Sequence, residues 1–233
     1  MIPRSHSGQG LRAVLFDAGN TLLFLDYARM AAGVSTALGL PLSGAELASH
    51  ASEAAQAMER VETDQERATA YLEALFLLGG IPADRLGEVR VCLKRMHEER
   101  HLWSSVPEST RTALARLKAA GLLLGVVSNS EGRVEEALEA AGLRDYFDVV
   151  VDSGVLGIEK PDPRIFQAAL QALRVAPEEA LYVGDLYEVD VLGAQSAGIE
   201  AVLISTCSIE DLVHSLLSGD RPMTTPSPRM EKP

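Results

Sequence analysis

Only two of the 233 residues are cysteine, Cys92 and Cys207. They are too few and too scattered for a disulfide framework or a zinc site, and a reducing cytoplasm is the simplest expected home. Aromatic residues make up 5% of the chain, which marks no interface patch and leaves the oligomeric state unread. No segment holds 18 consecutive apolar residues, so no membrane span is expected. The first ten residues, with Arg4, His6 and two glycines, lack the apolar core of a signal peptide. Positive charge is scarce: 21 Lys and Arg face 33 Asp and Glu, a net charge of −12. That balance argues against nucleic acid or an anionic membrane as partner, since both demand a basic face. Lysine is rarer still, with Lys94, Lys118, Lys160 and Lys232 the whole set. No internal repeat is present, and residues 1–10 and 219–233 read as flexible termini.

What is there is ordinary globular material, 47% hydrophobic and 23% charged, at a length that suits one large domain or a domain with an insertion. Short apolar runs at 13–16, 122–127, 180–183 and 201–204 read as buried parallel strands, with 147–151 as a fifth. Strands covered on both faces show continuous apolar runs rather than alternation. Helical patterns lie between them, punctuated by Pro107, Pro163 and Pro177. The expected class is therefore α/β, a doubly wound, Rossmann-like parallel sheet. From about Phe24 to Trp103 strand-like runs give way to Ala, Leu, Glu and Arg. Ala68, Tyr71, Leu72, Leu75 and Phe76 fall at helical spacing, as do Val89, Cys92, Leu93 and Met96. Gly39-Leu40-Pro41 and Gly79-Gly80-Ile81-Pro82 break this stretch into helices. The expected organisation is a core at 11–23 and 104–218 with an all-helical insertion at 24–103.

The first strand ends in Asp17, followed by Ala18-Gly19-Asn20-Thr21-Leu22. An acid there stands at the mouth of the sheet, where open α/β sheets bind ligands. Three further fragments follow in order: Val126-Val127-Ser128-Asn129, Glu159-Lys160-Pro161, and Val183-Gly184-Asp185 with Asp190 five residues later. Read singly, Ser128 and Asn129 are good N-caps, and Asp185 and Asp190 fit a turn and a helix start. Together and in this order they resemble the haloacid dehalogenase-like hydrolases, a superfamily of mostly magnesium-dependent phosphatases.

The resemblance implies that the 24–103 insertion is a cap that closes over the site and selects the substrate, a small phosphorylated molecule. It implies that Asp17 is the nucleophile that forms an aspartyl-phosphate. It also implies a Mg²⁺ site of Asp17, the Gly19 carbonyl and Asp185, with Asp190 ordering the metal's water shell. Thr21, Ser128, Asn129 and Lys160 would hold the phosphate, and Lys160 would also steady the nucleophile. One position departs from the family pattern Asp-x-Asp-Gly-Thr: Gly19 stands where the second aspartate protonates the leaving oxygen and later activates water. Three explanations follow. The chain is a phosphatase whose proton comes from water or from Asp26, Tyr27, His97 or His101. Or it cleaves haloacids or phosphonates, the latter needing a cap lysine, for which Lys94 is the one candidate. Or it is a phosphate-ligand binding protein that has lost turnover.

Overall fold

The run Ala13–Phe16 forms strand β1 with all four side chains buried, because it is the middle strand of a parallel sheet covered on both faces. The structure is a computed structural model that describes residues 10–57 and 64–218; the terminal segments 1–9 and 219–233 lie outside the described residues. After β1 come β2 (Phe24–Leu25), α1 (Tyr27–Leu38), α2 (Gly44–Ser49), α3 (Ala51–Ala55), α4 (Asp64–Leu78) and α5 (Leu86–Glu99). Then follow β3 (Trp103–Ser105), α6 (Glu108–Ala119), β4 (Leu123–Ser128), α7 (Val134–Ala140), β5 (Val149–Asp152) and α8 (Ser153–Leu156). The chain continues through α9 (Pro163–Leu173), β6 (Ala180–Gly184), α10 (Leu192–Ser196), β7 (Glu200–Leu203) and α11 (Ile209–Ser218).

Five strands pair in the order β5-β4-β1-β6-β7, and each neighbouring pair is parallel. All five runs read as strands from the sequence form one, with ends shifted by a residue or two. The chain fills one side of β1 with β4 and β5, then crosses back to fill the other with β6 and β7. The carboxyl ends of β1, β4 and β6 thus meet where the winding reverses. Ala13 and Leu15 pack into a core with Ile165, Phe166 and Ala169 of α9 and with Tyr182 of β6. Phe166 meets Tyr182 edge to face at 5.0 Å. Truncating Phe166 to alanine would cost about 3–5 kcal/mol.

The described residues fall into two compact units, one built from the chain up to Phe24 and from Ser105 onward, the other from Leu25–Ser104. The second unit is helical around its own core, which includes Met30, Val34, Leu47, Leu75, Phe76, Leu93 and Met96. Gly39, at a φ of 68°, ends α1 in the left-handed conformation that glycine tolerates best. Arg29 donates to the carbonyls of Met96, Arg100 and His101 at 3.3, 3.0 and 2.7 Å, supplying donors to the last turn of α5. Two strands were not foreseen: β2 and β3 form a two-stranded sheet where the chain passes between the units. At two and three residues they are too short to leave a periodic trace.

Candidate active site

Asp17 follows β1 directly, and its N–H donates to the Val183 carbonyl of β6 at 2.8 Å, so pairing continues through the acid itself. The next residues turn sharply. Leu22 and Leu23 both donate to the Ala18 carbonyl, at 2.9 and 2.8 Å, and Asn20 donates to Leu23 at 2.8 Å. Asn20 has a φ of 53°, a left-handed conformation that asparagine accepts more readily than most residues. Its Nδ2 lies 3.4 Å from Asp185 Oδ2. Thr21 is buried, and its hydroxyl has no hydrogen-bond partner among the described residues.

Lys160 reaches this turn from the loop before α9. Its ammonium donates to Asp17 Oδ1 at 2.6 Å and to Asp190 Oδ1 at 2.7 Å, and its third proton faces the Tyr182 hydroxyl at 3.2 Å. Asp190 is fully committed. Besides Lys160, its Oδ1 lies 3.0 Å from the Tyr182 hydroxyl, and its Oδ2 accepts from the Asp185 and Leu186 N–H groups at 3.1 and 2.9 Å. Gly184 makes this approach possible, since a Cβ there would fall on the Asp190 carboxyl group. Carboxylate oxygens of Asp17, Asp185 and Asp190 lie within 4.8 Å of one another.

Burial pushes the Asp17 carboxyl up to about 6, with the Lys160 ammonium opposing and the Asp190 charge adding to the rise. Burial pushes Asp185 up to about 7, with the charges of Asp17 and Asp190 adding to it. Burial works against the charge on Lys160, but the two carboxylates overcome it and hold the ammonium above its ordinary range. Three carboxylates thus share one cation, an arrangement short of positive charge. Hard oxygen donors this close, with excess negative charge, fit a divalent cation such as Mg²⁺.

Asp17, Lys160, Asp185 and Asp190 converge here, and Gly19 and Thr21 lie in the turn that follows Asp17. Ser128 is buried at the end of β4. Asn129 does something the sequence does not suggest. Its Oδ1 accepts from the Lys160 N–H at 2.8 Å and its Nδ2 donates to the Lys160 carbonyl at 3.1 Å. That amide grips the main chain of the lysine loop. Tyr182 was missed altogether. Its hydroxyl also lies 3.1 Å from the Val127 carbonyl, tying β4 to the Lys160–Asp190 pair, yet in sequence it reads as filler in a buried strand.

Of the proton donors nominated from the other unit, Asp26 and Tyr27 have hydrogen-bond partners of their own. Asp26 Oδ1 caps α1 by accepting from Arg29 N–H at 2.9 Å, and Tyr27 pairs with the Tyr71 hydroxyl at 2.7 Å. His97 and His101 lie with ring centroids 4.4 Å apart. Lys94 is a surface residue of α5, its side chain 80% exposed.

The model of the haloacid dehalogenase-like hydrolase family matches residues 11–198. The haloacid dehalogenase-like hydrolase domain-containing protein 3 of Mus musculus is 39% identical over 131 residues, 56% of this chain and 52% of that protein. The phosphoserine phosphatase of Thermus thermophilus is 40% identical over 139 residues, 59% of this chain and 54% of that protein. The chain thus spans about half the length of these curated relatives. The crystal structure of a HAD phosphatase from Thermococcus onnurineus superposes with a TM-score of 0.55 at 27% identity, covering 91% of this chain and 100% of that one. No helix among the described residues is long and apolar enough to cross a membrane.

Proposed function

We propose that this chain, which belongs to the haloacid dehalogenase-like hydrolase family, is a Mg²⁺-dependent phosphatase of small phosphorylated metabolites. The observation that carries the reading is Asp17, buried at the mouth of the central strand with one oxygen held by Lys160. A phosphoserine phosphatase and a HAD phosphatase among the related proteins support the phosphoryl chemistry.

The second Asp17 oxygen attacks phosphorus and forms an aspartyl-phosphate, while the P–O bond to the leaving group breaks and its electron pair stays on the leaving oxygen. Water then attacks the same phosphorus, inorganic phosphate departs and the Asp17 carboxylate is restored. Lys160 orients Asp17 and brings positive charge toward the phosphoryl oxygens. The Thr21 hydroxyl, buried without a protein partner, is satisfied by a phosphoryl oxygen, and Ser128 offers a second hydroxyl. Asn129 acts through the Lys160 main chain. Asp17, Asp185 and the Gly19 carbonyl would hold Mg²⁺, which when bound neutralises charge on the transferring group. Asp190, its oxygens taken by Lys160 and by the Asp185 and Leu186 N–H groups, steadies Lys160 and the Asp185 main chain. Substrate choice is assigned to the Leu25–Ser104 unit acting as a cap.

Gly19 gives the leaving oxygen no proton, so good leaving groups such as acyl phosphates are favoured over sugar alkoxides. A general acid is worth about 10²–10⁴-fold. The test is a leaving-group series on the wild type and Gly19→Asp. The reading expects the variant to gain most on alkyl phosphates and little on acetyl phosphate. A variant as inert as an inert parent, with phosphate still bound, would make this a phosphate-ligand binding protein. Haloacid cleavage draws no support from a glycine at 19, and phosphonate cleavage, which a small residue there would suit, draws none from a solvent-exposed Lys94.

A further inference from the structure

We propose that Asp152 is a positioning residue of this site, shaping the 129–134 loop so that Asn129 can hold Lys160. The inference rests on the reading of Asp17 and Lys160 given above.

Asp152 is the last residue of β5 and the register partner of Ser128 on β4. Its buried carboxylate accepts three main-chain donors. Oδ1 takes Gly132 N–H at 3.0 Å and Gly154 N–H at 2.9 Å, and Oδ2 takes Val134 N–H at 3.0 Å. Val134 opens α7, and the local N-cap residue, Arg133, makes no side-chain cap. One of the unpaired N–H groups that every helix start presents is here satisfied from the neighbouring strand. One carboxylate thereby fixes the start of α7 and the far end of the loop after β4.

The next two residues complete the clamp. Ser153 Oγ accepts from Ser130 N–H at 3.0 Å and donates to the Ser130 carbonyl at 3.1 Å. At Gly154 a Cβ would stand 2.6 Å from the Glu131 carbonyl carbon and 2.8 Å from the Ser130 carbonyl oxygen, so the two backbones touch. Asp152, Ser153 and Gly154 therefore grip successive parts of a loop whose first residue, Asn129, holds both main-chain groups of Lys160. Lys160 in turn holds Asp17 and Asp190. Asp152 is thus linked to Asp17 by its hydrogen bonds to the loop, by the short main-chain stretch from Gly132 back to Asn129, and by the Asn129–Lys160 and Lys160–Asp17 bonds.

Asp152→Asn keeps the shape but sets an NH₂ donor against N–H donors. Ser153→Ala is the milder variant. Amide hydrogen exchange is followed by NMR at Gly132, Val134, Gly154 and Lys160, beside kcat/KM for acetyl phosphate. The expected result for Asp152→Asn is faster exchange at all four amides, including the distant Lys160 N–H, and kcat/KM down about tenfold, the scale of a small misplacement. Ser153→Ala should move Lys160 exchange the same way by less. Faster exchange confined to Gly132, Val134 and Gly154, with Lys160 and kcat/KM unchanged, would make Asp152 a structural cap and overturn the proposal. If Asp152→Asn does not fold, an unchanged Lys160 amide in Ser153→Ala overturns it equally. Absence of Asp17-dependent turnover in the wild type defeats the phosphatase reading, and Lys160 exchange then decides the positioning claim on its own.

Discussion

The Lys160 ammonium lies 2.6 Å from Asp17 Oδ1 and 2.7 Å from Asp190 Oδ1, with the lysine side chain 3% exposed. A single cation from a loop thus holds carboxylates that follow two different strands. Lys160→Met leaves those carboxylates facing one another without a counter-charge. Breaking a buried pair in this way costs about 3–5 kcal/mol, read by urea unfolding at neutral pH. Turnover should fall about 10²–10³-fold. Lys160→Arg should not restore it, because a planar fork cannot place donors on Asp17, Asp190 and Tyr182 from one atom.

Tyr182→Phe removes one oxygen and no packing. The Val127 carbonyl loses a donor and Lys160 its third acceptor. We expect a loss of about 1–2 kcal/mol in stability. We also expect kcat to fall about tenfold with KM little changed, as a misaligned Lys160 would produce. Steady-state kinetics beside thermal unfolding separates the two effects. An unchanged kcat would reduce Tyr182 to a core residue.

Two glycines should answer oppositely to alanine. At Gly184 the new methyl group falls on the Asp190 carboxyl group, so Gly184→Ala should cost about 1–3 kcal/mol and impair turnover by displacing Asp190. At Gly87 on α5 the nearest atom to a Cβ is an Arg90 side-chain nitrogen 4.0 Å away. Gly87→Ala should stabilise by about 0.5–1 kcal/mol and leave turnover alone. Paired urea denaturations check both.

A pH-dependent contribution sits away from the site. Asp148 accepts from Leu124 N–H at 2.8 Å and from Lys118 at 2.9 Å. Burial pushes its carboxyl up, but these donors prevail and hold it below the ordinary 3.8. A carboxyl depressed on folding adds stability that is present above the unfolded value and lost as pH falls through the folded one. Asp148→Asn should therefore be less stable than wild type at pH 7, the gap closing once the pH drops below about 4. A constant gap from pH 7 to pH 3 would contradict the assignment.

The parallel sheet was legible because each strand is a continuous apolar run, and the place of Asp17, the proposed nucleophile, because it ends one of them. Lys160 and Asp185 stood out as members of ordered fragments, and both lie at one strand-end cluster. Tyr182 and Asp152 were not legible, and the reason is physical. Each sits inside or at the end of an apolar run, and what distinguishes it is a hydrogen bond to residues far away in the chain. Asn129 shows the same limit from the other side. Its residue type suits a phosphate ligand, and nothing in the sequence reveals that its amide also holds the Lys160 main chain. Strands β2 and β3 escaped because pairs this short are set by where the chain crosses between units, which leaves no pattern in composition.

The most direct test is phosphate release from acetyl phosphate and p-nitrophenyl phosphate, with and without Mg²⁺, comparing the wild type with Asp17→Asn. Both leaving groups are good, so the missing side chain at Gly19 matters least there. The account predicts release by the wild type that needs Mg²⁺ and disappears in Asp17→Asn. Release that persists in Asp17→Asn, or none by the wild type above that background, would contradict it.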